Sequence, residues 1–174
     1  MTVANQRLDR NIAKHSDDDI CLNPLHPSPI AAQPTLAPLT NWQSQPDGTV
    51  SKHEETWLSR CAAGGFSMVM TCAAHVQRGG HGQTFPSQMG IYSDAHIPGL
   101  RKIANIICAH GAVSSVQLYH GGFAAGPSHT AVGRGLSTAE VEKLRDDFIA
   151  AAHVAQVAGF NGVEVHGAFG WVLT

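Results

Sequence analysis

Residues 137–165, STAEVEKLRDDFIAAAHVAQVAGFNGVEV, spell out one helix-to-strand unit. Ser137-Thr138-Ala139-Glu140 has the spacing of a capping box, in which the serine hydroxyl takes an orphan N–H and the glutamate reaches back. Val141, Leu144, Phe148, Ala152 and Ala155 then fall on one helical face, and the helix stops at Gly159. Gly162-Val163-Glu164-Val165 follows as a strand. Toward the N-terminus the same unit recurs. Val113–Leu118 (VSSVQL) reads as a strand, preceded by a helix that Asp94 can cap and that carries Ile97, Leu100, Ile103 and Ile107 at spacings of three and four. Phe66–Cys72 (FSMVMTC) is another strand. Before it, Ser51-Lys52-His53-Glu54 has capping-box spacing and opens a helix ending at Gly64-Gly65. The series begins with Thr35–Thr40 (TLAPLT), separated from that helix by the turn signal Pro46-Asp47-Gly48.

Strands and helices therefore alternate, with no hairpin signal between neighbouring strands. That order predicts right-handed crossovers and a parallel sheet. A doubly wound open sheet and a TIM (β/α)8 barrel both satisfy it. The first strand and helix are not joined by GxGxxG, and GxxxxGK[ST] is missing, so neither nucleotide-binding open-sheet signature is present. Polar residues instead stand at strand C-terminal ends, at Thr40, Gln117 and His166, where such folds bind ligands. The expectation is α/β architecture of the TIM-barrel class, with four strands representing about the first half.

The 174 residues are 43% hydrophobic and 14% charged, with a net charge of -2, which suits a folded core. Eleven Lys and Arg residues lie scattered and form no basic stripe, which argues against nucleic acid as a partner. No apolar run approaches the roughly 20 residues of a membrane span. Met1–Ile20 is polar, without the apolar stretch of a secretory signal, so a cytoplasmic protein is expected. Pro24, Pro27, Pro29 and Pro34 mark residues 1–34 as an N-terminal surface arm, leaving 35–174 as the domain. Cys21, Cys61, Cys72 and Cys108 contain no CxxC pair and read as reduced, packing thiols. The chain has eleven histidines but no HxH or HExxH spacing, so no metal site is expected.

Three positions carry the chemistry. Pro38 withholds one N–H and stiffens the end of the first strand, leaving groups around Thr40 free to face a flat ligand. Gln117 places an amide, donor and acceptor together, where it can read the imide edge of a planar heterocycle. His166, directly after Val163-Glu164-Val165, offers a ring donor at the same rim.

Together these segments resemble the Old Yellow Enzyme family of FMN-dependent NAD(P)H oxidoreductases. The pieces are APLT at 37–40, RCAAGGFSMVMT at 60–71, GIYSDAHIPGLRKIA at 90–104, VQLYHGG at 116–122 and FIAAAHVAQVAGFNGVEVHGAFGW at 148–171. The resemblance implies a TIM barrel with FMN at its C-terminal mouth. The flavin would pass hydride from NAD(P)H to an activated alkene, a small-molecule substrate. By position, Ala37, Pro38 and Leu39 resemble the segment against the isoalloxazine, and Thr40 the residue that hydrogen-bonds near flavin O4. Ala73 matches a backbone contact to the flavin and Gln117 the amide on its pyrimidine edge. His166 matches the first of two donors to the substrate's carbonyl or nitro oxygen.

Phe123, where Arg usually follows HGG, and Ala32-Gln33, where Asn-Arg usually precedes the first strand, depart from the family, and two further departures fall on the chemistry. Phe169 stands where the second donor, His or Asn, is usual, and Trp171 where a tyrosine proton donor is common. An oxyanion donor is typically worth about 10²–10³ in rate and a general acid about 10²–10⁴. The resemblance also places the FMN phosphate grip in a C-terminal half beyond Thr174, so the isolated chain is expected to bind FMN weakly or not at all. Two classes stay open: a flavoenzyme, or the flavin-contacting half of one, and a non-catalytic half barrel that self-associates.

Overall fold

The computed structural model describes residues 34–78, 82–122, 136–169 and 172–173. The predicted arm falls almost wholly outside the described residues, as does Trp171. Four strands form one parallel sheet in chain order: β1 (Thr35–Leu36), β2 (Met68–His75), β3 (Val113–Tyr119) and β4 (Gly162–Val165). Between them run α1 (Lys52–Ala63), α2 (Ile97–Ala109) and α3 (Thr138–Ala158). A strand order equal to chain order, with a helix in each crossover, is that of a barrel wall; a doubly wound sheet reverses direction at a switch point.

The helices cover one face and the core lies between the layers. Val69, Val116 and Leu118 of the sheet meet Leu58, Leu100, Ile103, Ile107 and Ala155 of the helices. Lys102 joins α2 to α1 through Glu55 at 2.8 Å. Among the described residues no helix is long and apolar enough to cross a membrane.

Several expectations shift in detail. The first strand closes at Leu36, short of the predicted Thr40; two residues on, Pro38 has no N–H for a ladder bond. The second runs three residues further, to His75. On α3 the full capping box forms between Ser137 and Glu140, but the buried face is Leu144, Ala151, Val154, Ala155 and Ala158, while Val141 is exposed. Leu144 and Ala155 of the predicted face are buried, and Phe148 and Ala152 pack against the core, so only Val141, in the first turn, falls outside the packed face. Asp94 does not cap α2: Asp94–His96 is a 3₁₀ turn leading into the helix, and Pro98 occupies its first turn. Ser51 caps α1 as predicted, accepting from His53 and Glu54 N–H, but Glu54 does not reach back. Cys61 and Cys72 are free thiols, whereas Cys108 is disulfide-bonded, which corrects the expectation of four reduced cysteines.

Candidate functional site

The β2–β3 ladder contains a one-residue slip. Met70 pairs with Ser115, but the next partners are Ala73 and Gln117, so β2 spends three residues where β3 spends two. Side chains alternate along a strand, and a slip of one exchanges faces. The slip turns Ala73 toward the inner face of the sheet with Gln117, and Cys72 toward the helices. Gln117 in turn pairs with Glu164 on β4. Ala73, Gln117 and Glu164 thus form one rung across three strands at their C-terminal ends.

This rung floors a cavity of about 560 Å³. Pro38 and Thr40 stand on its β1 side, and His166 and Phe169 on its β4 side. The structure therefore brings together Pro38, Thr40, Ala73, Gln117, His166 and Phe169 from the predicted set. Ala37 and Leu39 are exposed and do not line the cavity, because alternate residues of an extended segment face opposite ways. His166 N–H donates to the Leu118 carbonyl at 3.0 Å, extending the β3–β4 ladder by one residue and fixing where the imidazole leaves the sheet. Phe169 has its ring edge-on to His166 at 5.8 Å, is 86% exposed, and carries a positive φ of 62°.

Five lining residues were not anticipated: Gly167 and Ala168, which follow His166 directly, and Phe85, Tyr119 and Glu164. Tyr119 lies two residues beyond Gln117, and Glu164 two before His166, so strand alternation was a usable signal for both. Phe85 comes from the loop between β2 and α2 and had no such signal. Its ring stacks with Trp42 across the β1 side of the mouth, with centroids 5.8 Å apart. Gln88 fixes this loop: its Nε2 donates to the Ala73 carbonyl at 3.0 Å, and its Oε1 accepts from Thr84 N–H at 3.0 Å.

Burial sets the electrostatics of the floor. Tyr119 is 1% exposed and shares a 2.6 Å hydrogen bond with the Thr84 hydroxyl; burial pushes its phenol upward, so it stays protonated at neutral pH. Glu164 Oε2 is buried without a hydrogen-bond partner among the described residues. Beside the cavity, His75 is driven down to about 4 by burial and holds the Gln77 carbonyl oxygen at 2.5 Å from Nδ1. His120, at the exit of β3, bonds Gln77 Oε1 through Nε2 at 2.9 Å and receives Gly122 N–H at Nδ1, a structural use. Among the described residues no group of three His, Cys, Asp or Glu side chains could hold a metal ion.

The residues fit one end of a flavin. A cavity of this volume is in the range of small-molecule sites. Its floor has a small side chain, Ala73, beside an amide with both donor and acceptor, Gln117, which suits a flat ring with an imide edge.

The model of the NADH:flavin oxidoreductase / NADH oxidase family matches residues 33–131, more than half of the chain. The chain is 36% identical over 154 residues to the probable NADH-dependent flavin oxidoreductase YqiG of Bacillus subtilis, covering 79% of this chain and 41% of that protein. It is 31% identical over 151 residues to the NADH:acrylate oxidoreductase of Vibrio harveyi, covering 76% of this chain and 15% of that one. The crystal structure of Old Yellow Enzyme from Pichia sp. AKU4542 superposes with a TM-score of 0.72 at 22% identity, over 80% of this chain and 43% of that one, a likeness of fold. The chain thus spans less than half of these relatives, and its sheet is about the first half of a TIM barrel. By sequence and by fold, the chain belongs to the NADH:flavin oxidoreductase / NADH oxidase family.

Proposed function

We propose that the cavity over Ala73, Gln117 and Glu164 holds the isoalloxazine of FMN in an NAD(P)H-dependent oxidoreductase that reduces an activated alkene or similar small acceptor. The rung that aligns Ala73 and Gln117 between Thr40 and His166 carries this reading. Bound FMN would supply the hydride relay between the nicotinamide and the acceptor. Gln117 would pair with the pyrimidine edge of the ring through its amide. Ala73 leaves room for the ring to lie against the backbone, and Pro38 and Thr40 close the β1 side, with the Thr40 hydroxyl as donor. Burial of the floor excludes water from this face. His166 would donate to the acceptor's carbonyl or nitro oxygen, which gains charge as hydride arrives.

Phe169 supports a second reading. A phenyl ring donates nothing, so His166 acts without a partner at that position. This favours slow turnover or an acceptor gripped by one hydrogen bond. Its extreme form is a half barrel that binds ligand, or a copy of itself, without chemistry.

Anaerobic mixing of the FMN-loaded, full-length protein with NADH or NADPH tests the enzyme. Bleaching of the flavin band is expected with at least one of them, and an unchanged spectrum with both refutes the oxidoreductase reading. His166→Ala should weaken binding of phenolate ligands by about tenfold, the worth of one charge-assisted hydrogen bond. Unchanged affinity would remove His166 from the site.

A further inference from the structure

Glu54 is a carboxylate on the buried face of α1, fully shielded from solvent, and it carries no counter-ion bridge among the described residues. Such a group is costly unless its oxygens are satisfied, and here both are. Oε1 accepts from the Cys72 thiol at 3.1 Å, and Oε2 accepts from the Ser44 hydroxyl. The Asn41 side chain works against burial in lowering the carboxyl's pKa.

The places of these donors matter. Cys72 is the residue that the slip in β2 turns toward the helices, and its neighbour Ala73 is the one turned into the cavity. Thr71 holds the same irregularity from the other side, its hydroxyl donating to the Cys72 carbonyl at 2.9 Å. Asn41 and Ser44 belong to the loop directly after Thr40, and Ser44 N–H is tied to the Ser87 carbonyl at 3.1 Å. One carboxylate therefore fastens two backbone segments that reach the cavity from different strands. An apolar residue would fill the same volume without fastening either, so burial of α1 does not explain the glutamate.

We propose that Glu54 is a positioning residue: by holding the Cys72 thiol and the Ser44 hydroxyl together it sets the spacing between Thr40 and Ala73, and so the fit of the planar ligand. The inference rests on the reading of the cavity as a flavin site. A glutamine at 54 keeps the shape, but its amide oxygen accepts more weakly than a carboxylate and its NH2 puts a donor where Ser44 or Cys72 now donates, so the Cys72 hydrogen bond weakens or is lost whichever way the amide faces. Ser44→Ala cuts the loop tether alone and leaves Glu54 in place.

The test has two parts in the full-length protein. Infrared spectroscopy of the thiol S–H stretch reads the tether with no flavin present. The Cys72 band, assigned by its loss in Cys72→Ala, should lie below that of a free thiol and move upward in Glu54→Gln. Equilibrium titration with FMN reads the spacing: Glu54→Gln and Ser44→Ala should each weaken binding about tenfold and shift the bound flavin's visible band. The double variant should lose little more than either single one, as expected for residues in one network. A moved S–H band with wild-type FMN affinity and spectrum in both variants would overturn the proposal, leaving Glu54 a structural residue. An unmoved band would overturn it at the first step. Failure of the wild-type protein to bind FMN would instead refute the flavin reading itself, which separates the two.

Discussion

His75 shows what burial does to one side chain. It is 1% exposed, and burial holds its ring near a pKa of about 4, below the 6.5 of an open histidine. His96, its neighbour across Tyr92, is lowered in the same direction by burial, against the pull of Asp47. A depressed pKa in the folded state means that the unfolded chain binds the proton first. The contribution to stability is therefore complete above about pH 6.5 and disappears as the pH falls toward 4. For His75 alone the swing is about 3 kcal/mol. Glu54 acts in the opposite sense, because burial raises its carboxyl: its neutral form favours the fold below the ordinary carboxylate range, and that advantage fades as pH rises. Comparison of wild type with His75→Gln isolates the histidine. In urea unfolding between pH 7.5 and 4 the wild type should lose more stability than the variant, whereas parallel curves would place His75 in contact with solvent. Residue identity alone had marked Thr40, Gln117 and His166, because polar side chains ending apolar strands are conspicuous. It misassigned Glu54, because a glutamate three residues after a serine reads locally as a cap, while its real partners, Ser44 and Cys72, are 10 and 18 residues away.

Between elements, what matters is where two backbones come close. Gly48, in the turn that Pro46-Asp47-Gly48 announced, has a φ of +83°, and a Cβ there would lie 3.0 Å from the backbone nitrogen of Gly90. Gly90 N–H donates to the Gly48 carbonyl at 2.9 Å and pairs beside His75, so this contact anchors the loop after β1 to the end of β2. Gly111 has a similar φ of +77° but nothing within 4 Å of a Cβ. The pair separates strain from crowding. Gly111→Ala should cost about 1–2 kcal/mol for the left-handed backbone alone. Gly48→Ala should cost at least about 1 kcal/mol more, because backbone must move. Chemical denaturation of the two variants checks this, and equal losses would mean that the turn yields freely. Element type was legible throughout, since spacings of three and four and the capping serines are local features. The slip at Met70–Ala73 was not: FSMVMTC alternates no differently from an unbroken strand, and only pairing with β3 reveals it.

At the scale of the whole molecule, a parallel sheet is covered by helices on one face and carries the site on its other face at the C-terminal rim. β1 and β4 each pair with a single strand among the described residues, and β4 exposes Val163 and Val165 at 42% and 51%. Open apolar edges of this kind promote association. The 174-residue chain on its own should self-associate at micromolar concentration, and Val165→Lys should lower that tendency in sedimentation velocity; a monomer indifferent to the substitution would contradict it. The barrel class was legible because helices alternate with strands and the polar residues gather at one set of strand ends. The cavity was only partly legible. Phe85 reaches it from a loop that Gln88 ties to Ala73, and in a loop no period links sequence to direction. The central claim, that this rim is a flavin site read by Gln117, is tested most directly by titrating the full-length protein and its Gln117→Ala variant with FMN and following flavin fluorescence. Saturable quenching by wild type, weakened about tenfold or more in the variant, is the result predicted. Absence of quenching, or equal affinity in the two proteins, would contradict it.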